Sequence, residues 1–218
     1  MAGGGAVVLG KGALAVRVAE WFLAAQGWRL EAVVPVVPEP SWTTALGEGA
    51  AARGVPVLAS GDYADLRERP DDGMVADLAV SVFYDRILSA AFLERCGRAL
   101  NIHNGPLPRY RGVSPINWAL KNGEPSHGVT IHEITTGIDD GPIVSQLTYS
   151  VYPETDEVED VYARALAYGW TLFEQTMPIL ERIEPRPQDE SLATYHSAAE
   201  NEQLGERRSF NRAVSLGA

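Results

Sequence analysis

The stretch Ala6-Val7-Val8-Leu9-Gly10-Lys11-Gly12-Ala13-Leu14-Ala15 decides the fold. Four apolar residues stop at a glycine, and from Ala13 to Gln26 apolar side chains recur at helical spacing (Leu14, Val18, Trp21, Phe22) until Gly27 closes the run. The pattern is strand, glycine turn, helix. Leu30 to Val37 is β-branched and nearly continuous, as expected of a strand buried on both faces of a parallel sheet. Thr43 to Arg53 reads as a helix, Val55 to Leu58 and Ala76 to Phe83 as strands, Ser89 to Cys96 as a helix and Ala99 to His103 as a short strand. Strands alternating with helices predict right-handed β-α-β units.

The pattern changes after residue 127. Gly128 to Ile134 and Pro142 to Val151 alternate apolar with polar residues, which predicts antiparallel strands joined by the turn formers of Thr135 to Gly141. Asp156 with Glu159 reads as a capping pair opening a long helix, with Val158, Val161, Tyr162, Ala165, Leu172 and Phe173 on its apolar side and Pro178 bending or ending it. Beyond Glu184 the chain reads as polar and irregular. The expected fold is α/β, a Rossmann-like, open and mostly parallel sheet with helices on both faces and antiparallel strands in the second half. Residues 1–184 are expected to form the catalytic domain and 185–218 a short C-terminal extension.

Across 218 residues, 45% hydrophobic and 22% charged residues suit a globular chain that folds without staples. Eighteen Lys and Arg against 29 Asp and Glu leave a net charge of −11, which opposes phosphate backbones and anionic lipid. Cys96, the single cysteine, cannot close an internal disulfide and fits a reducing compartment. The start lacks a basic n-region and a long apolar h-region, and no window approaches the roughly 18 to 20 apolar residues of a membrane helix. A cytoplasmic protein with no membrane partner is expected.

Two constellations could carry chemistry. Gly10 to Ala15 matches the dinucleotide pattern G-x-G-x-x-G/A between strand and helix, which would make the chain an NAD-dependent oxidoreductase. The partner strand should then end in an acid for the ribose, but it ends in Pro-Val-Val-Pro, and Glu39 lies beyond the second proline. The turn otherwise serves structure, or holds part of a substrate with Lys11 meeting an anion. Asn101-Ile102-His103 is the richer set. Residues two apart on a strand share a face, so a carboxamide donor and an imidazole emerge together where the strand stops, the usual ligand end of an open α/β sheet. Such a pair could stabilise an oxyanion and move a proton, or His103 could be satisfied within a turn.

Phe83-Tyr84-Asp85-Arg86-Ile87-Leu88-Ser89, Asn101-Ile102-His103 with Pro106-Leu107-Pro108, His127-Gly128-Val129-Thr130-Ile131-His132 and Gly137-Ile138-Asp139-Asp140-Gly141-Pro142-Ile143 resemble, in order and spacing, the 10-formyltetrahydrofolate-dependent formyltransferases. The resemblance covers roughly residues 6 to 180. It implies catalytic roles for Asn101, His103 and Asp139, and a pterin site formed largely by backbone at Asp85, Arg86, Ile87, Leu88, Thr135, Thr136, Gly137 and Ile138. It also implies 10-formyltetrahydrofolate as formyl donor and tetrahydrofolate as product; no metal is expected, because His103, His127, His132 and Cys96 lack recognised metal spacing. Formyl transfer to an amine needs an oxyanion partner, supplied by Asn101, and removal of a proton, supplied by His103 with Asp139. His132 either supports the site or packs. His196 reads as an exposed turn residue or as part of a tail near the acceptor.

The family divides by acceptor. Leu107-Pro108-Arg109-Tyr110-Arg111-Gly112 resembles the methionyl-tRNA branch, but the acidic charge and about 35 residues after the long helix lead to the expectation of no tRNA or other nucleic acid. The purine branch carries Ser-Gly-x-Gly-Ser-Asn where this chain reads Leu9-Gly10-Lys11-Gly12-Ala13-Leu14, and Gly105-Pro106 replaces a common serine segment. The expected acceptor is therefore a small-molecule amine: an amino sugar, amino acid or biosynthetic intermediate. It would be met by Lys11, Gly12, Pro106, Arg109 and Arg111. Glycinamide ribonucleotide formyl transfer and a non-catalytic folate-binding domain are the alternatives, and a homodimer is allowed for.

Overall fold

A computed structural model describes residues 4–204. The chain divides into two compact units, residues 4–102 with 133–136 and residues 103–132 with 137–204.

In the first unit β1 (Gly5–Gly10), β2 (Arg29–Pro35), β3 (Ala76–Val82) and β4 (Cys96–His103, whose last residue opens the second unit) pair in parallel in the order β2-β1-β3-β4. Every residue of β1 is buried, as its unbroken apolar run requires. The crossover helix α1 (Gly12–Ala24) buries Leu14, Ala15, Val18, Ala19 and Phe22, the stripe read from the sequence. Burying Leu14 and Phe22 contributes about 1.5 to 3 kcal/mol each. The turn between β1 and α1 demands glycine: Gly10 has φ of +143°, and a Cβ there would stand 1.8 Å from the Val82 carbonyl oxygen.

Three expectations need correction here. The helix over Thr43–Arg53 shortens to α2 (Leu46–Ala51), because it starts where the Glu39 carboxylate accepts from the Leu46 and Gly47 amides. Val55–Leu58 makes only an isolated bridge from Val57 to Val33, since Pro56 has no N–H to extend a ladder. Ser89–Cys96 contains a single turn, α3 (Ala90–Leu93), capped by the Ser89 side chain on the Phe92 amide. Cys96 belongs to β4 instead, and Gly97 approaches β3 so closely that a Cβ would lie 2.7 Å from the Asp77 carbonyl oxygen. Cys96 packs in a core with Val7, Leu9, Val34, Ala79 and Phe92, where burial pushes its thiol up to about 11.

In the second unit β6 (Ser126–Glu133) and β7 (Ile143–Ser150) are antiparallel, with Thr130 opposite Gln146. α5 (Val158–Thr176) packs on β7 and buries Val161, Ala165, Leu172 and Phe173, and its ladder gives way to a 3-10 turn, Met177–Arg182, at Pro178. Its capping pair is Glu157 with Asp160, one residue later than expected; Asp156 instead accepts from the Tyr152 amide at 2.8 Å and pairs with Arg164. α4 (Pro115–Lys121) is absent from the sequence reading because six of its seven residues are buried, leaving no amphipathic period. The segment after Glu184 is not irregular throughout its described residues, which end at 204; the rest of the expected 185–218 extension lies outside them. Arg186 bridges Ile143, and β8 (Tyr195–His196) pairs with β5 (Arg111–Gly112). Among the described residues no helix is long and apolar enough to cross a membrane.

Candidate active site

β4 ends on His103, whose imidazole is 6% exposed. Its Nε2 lies 2.7 Å from the Tyr110 carbonyl oxygen, which can only accept, so Nε2 carries the proton. Nδ1 then presents a lone pair to Asp139 Oδ2, 3.5 Å away. The other carboxylate oxygen, Oδ1, stands 3.4 Å from His132 Nε2, and the Gly112 amide donates to Oδ2 at 2.9 Å. His132 thus contacts the same carboxylate as His103. His103, His132 and Asp139 are brought together around one carboxylate. Asn101 lies two residues earlier on β4, in register with Ser81.

Side chains from the neighbouring strands fix the turn after His103. Thr130 donates to the Gly105 carbonyl at 2.6 Å and accepts from the Leu107 amide at 3.2 Å. Gln146 donates to the Leu107 carbonyl, and His127 Nε2 to the Asn104 carbonyl, each at 2.8 Å. Gly105 has no room for a side chain: a Cβ would lie 2.7 Å from His103 Nε2. Tyr110, Ser114 and Asp139 all adopt positive φ, between 53° and 63°, at about 1 to 3 kcal/mol each. Strain of this kind needs outside bonds to hold it, and Tyr110 and Asp139 are the residues that orient His103.

Burial alone would raise the Asp139 carboxyl, but His103, His132 and the Gly112 amide outweigh it and hold it well below the ordinary carboxylate range. For His103 burial is the larger influence and lowers the ring below its ordinary 6.5, with Asp139 pulling the other way. The site thus holds a neutral imidazole beside an ionised carboxylate. A proton arriving at Nδ1 meets a negative charge already in place, while the Tyr110 carbonyl keeps the ring from turning away. Among the described residues no group of three His, Cys, Asp or Glu side chains is arranged to hold a metal ion.

The remaining expected residues are placed as follows. In the first unit Lys11 follows Gly10 with its amide bonded to the Val82 carbonyl at 3.1 Å; burial lowers its ammonium, opposed by Asp85. Gly12 has φ of +80°. Arg86 pairs with Asp62 at 2.8 Å, Ile87 is 62% exposed, and Leu88 is buried in the core. Thr135 and Thr136 follow Ile134, whose amide bonds the Ala99 carbonyl at 2.9 Å. In the second unit Pro106 abuts Gly128, Ile138 is half-exposed, and Asp140 folds over Gly137. Arg109 pairs with Glu124, and Arg111 with Gln188 and Glu190. His196 is not an exposed turn: its ring stacks on Trp118 at 4.1 Å. The sequence reading missed the Tyr110 carbonyl, the Gly112 amide, Thr130 and Gln188. Main-chain groups leave no residue signature, and Gln188 sits in a polar run with no period.

In an α/β protein, a buried histidine facing an ionised carboxylate at a strand end marks a candidate site for moving protons or groups. This chain belongs to the formyl transferase family, whose family model matches residues 68–176, half of its length. The methionyl-tRNA formyltransferase of Deinococcus radiodurans is 42% identical over 122 residues, covering 55% of this chain and 38% of that protein. That of Anaeromyxobacter sp. is 33% identical over 200 residues, covering 83% and 62%. The chain thus spans 38% and 62% of the lengths of these two sequence relatives. An N-formyltransferase from Helicobacter canadensis, solved with folinic acid and dTDP-3-aminofucose, shares the fold with a TM-score of 0.77 at 24% identity, covering 97% of this chain and 79% of that one.

These relatives overturn the expectation of no tRNA. A net charge of −11 measures the long-range field of the whole chain and says nothing about where individual cations stand, so it does not separate this chain from relatives named for tRNA.

Proposed function

We propose that this chain is an N-formyltransferase that moves the formyl group of 10-formyltetrahydrofolate to a primary amine. The observation that carries the reading is the neutral His103 ring, pinned through Nε2 and offering Nδ1 toward ionised Asp139. The bound donor supplies an electrophilic formyl carbon whose oxygen gains charge as the amine adds. Asn101 would donate its carboxamide N–H to that oxygen. As the new C–N bond forms, the amine proton passes to His103 Nδ1, where Asp139 stabilises the imidazolium; it then returns to the departing folate nitrogen as the old C–N bond breaks. The exposed Ile87 side chain suits the face of a pterin, and Leu88, being buried, would contribute only backbone.

The acceptor we favour is a small-molecule amine, supported by the shared fold of a structure solved with an amino-sugar nucleotide. Methionyl-tRNA is the second reading, favoured by the names of the sequence relatives. The test is release of tetrahydrofolate from 10-formyltetrahydrofolate with an amino-sugar nucleotide, with glycinamide ribonucleotide and with methionyl-tRNA, alongside His103→Ala. Turnover with one acceptor, abolished in the variant, is expected. Turnover undiminished in the variant would sink the mechanism.

A further inference from the structure

We propose that Gln188 is a positioning residue for Asp139, acting as a carboxamide clamp; the inference rests on the proton-accepting role assigned above to the His103–Asp139 pair. Gln188 lies 49 residues beyond Asp139, in the polar segment after Glu184. Its Nε2 donates to the Asp139 carbonyl at 2.8 Å and to the Gly141 carbonyl at 2.7 Å, so one amide group ties both ends of the 139–141 turn. Its Oε1 accepts from Arg111 Nε at 3.1 Å and from a terminal guanidinium nitrogen at 2.8 Å. Glu190 holds the other edge of that guanidinium, at 2.6 and 3.0 Å.

The polarity of the clamp is fixed by what its partners can do. A guanidinium only donates and a carbonyl only accepts, so the amide oxygen must face Arg111 and the nitrogen must face the turn. Arg111 immediately precedes Gly112, whose amide holds the Asp139 carboxylate. Gln188 therefore joins the two grips on the same residue, one on its main chain and one, through Arg111, on its side chain. Asp139 needs both, because its φ of +53° is a strained conformation for a residue with a Cβ. Glutamate could accept from Arg111 but could not donate to the turn, and asparagine is one methylene short.

The experiment compares Gln188→Ala and Gln188→Glu with the wild-type chain by amide hydrogen exchange over residues 137–141 and by formyl-transfer kinetics as a function of pH. Both variants are expected to raise exchange in the turn and to lower kcat by about 10- to 100-fold, the scale of a misplaced catalytic group. In Gln188→Ala the acid limb of kcat moves to lower pH, because Asp139 no longer supports charge on His103; His132, His127 and the Tyr110 carbonyl, the other groups acting on that ring, are unchanged. Wild-type kcat in Gln188→Glu, or unchanged exchange in either variant, overturns the clamp. So does a loss confined to melting temperature. Should Gln188→Ala not fold, Gln188→Glu, isosteric and still able to engage Arg111, carries the test. A wild-type chain that releases no tetrahydrofolate with any acceptor refutes the functional reading instead, and the exchange arm then decides the clamp alone.

Discussion

Gly10 and Gly112 both have positive φ, +143° and +89°, and at both a Cβ would strike a carbonyl oxygen, Val82 at 1.8 Å in the first unit and His196 at 2.2 Å in the second. Their surroundings differ. Gly10 ends a strand paired on both sides through parallel ladders and packed by apolar side chains. Gly112 lies on a two-residue ladder held by side chains: the Tyr110 amide donates to the Thr194 hydroxyl, Arg111 donates to Gln188 and Glu190, and His196 stacks on Trp118. One steric constraint thus serves the packing of a sheet in the first unit and the construction of a site in the second. The largest effect should follow from Gly10→Ala, which forces β1 from β3 and should cost about 3 to 5 kcal/mol, read as a fall in denaturant midpoint. Gly112→Ala should cost about 2 kcal/mol and remove turnover while most of the fold survives. Equal losses of stability in the two variants would break the contrast.

If the second unit is built around Asp139, the charge on that side chain should matter more than its shape. Asp139→Asn keeps an oxygen for the Gly112 amide but removes the charge that meets a proton on His103. Turnover should fall by about 10²- to 10⁴-fold, the range for losing general-base assistance, with a melting temperature close to that of the parent. A variant that loses stability and keeps turnover would place Asp139 with Gly10, as a residue of packing.

The two units also differed in how far they could be read in advance. β1, α1, β2 and β3 were legible because a buried parallel strand and an amphipathic helix each have a period, and Leu14, Val18 and Phe22 fell where the period put them. His103 and Asp139 were singled out through the motifs around them, and they lie 3.5 Å apart. What orients them was not legible. The partner of His103 is a main-chain carbonyl seven residues away, and that of the Asp139 turn is a side chain 49 residues away in a segment that read as irregular. Long-range bonds between side chain and backbone leave no period, and a buried helix such as α4 hides its own.

The protonation states sharpen the same contrast with a smaller effect. Burial lowers His103 below its ordinary 6.5, so the neutral ring persists as pH falls through the usual histidine range. Turnover should stay level from pH 8 down past 6.5, then fall about tenfold per unit once the ring takes up a proton. Asp139, held far lower, contributes no step in that window. A rate that climbs as pH drops through 6.5 would mean that the imidazolium is the working form and that the Tyr110 carbonyl holds a charged ring.

The smallest effect tests a register error of one residue. The sequence pattern paired Asp156 with Glu159 at the start of α5, whereas the Asp160 carboxylate accepts from the Glu157 amide at 2.9 Å, and the Glu157 side chain answers it. A helix start leaves four N–H groups without partners, and whichever acid sits at the third helical position closes the box. Asp160→Ala should therefore cost about 1 kcal/mol in a denaturant melt, and Glu159→Ala no more than about 0.5 kcal/mol, the share of an acid near a helix N-terminus. Neither change should alter turnover, because this cap serves a helix held by its apolar face and not the carboxylate beside His103. The reverse ranking would restore the register read from the sequence and move the start of α5 back by one residue.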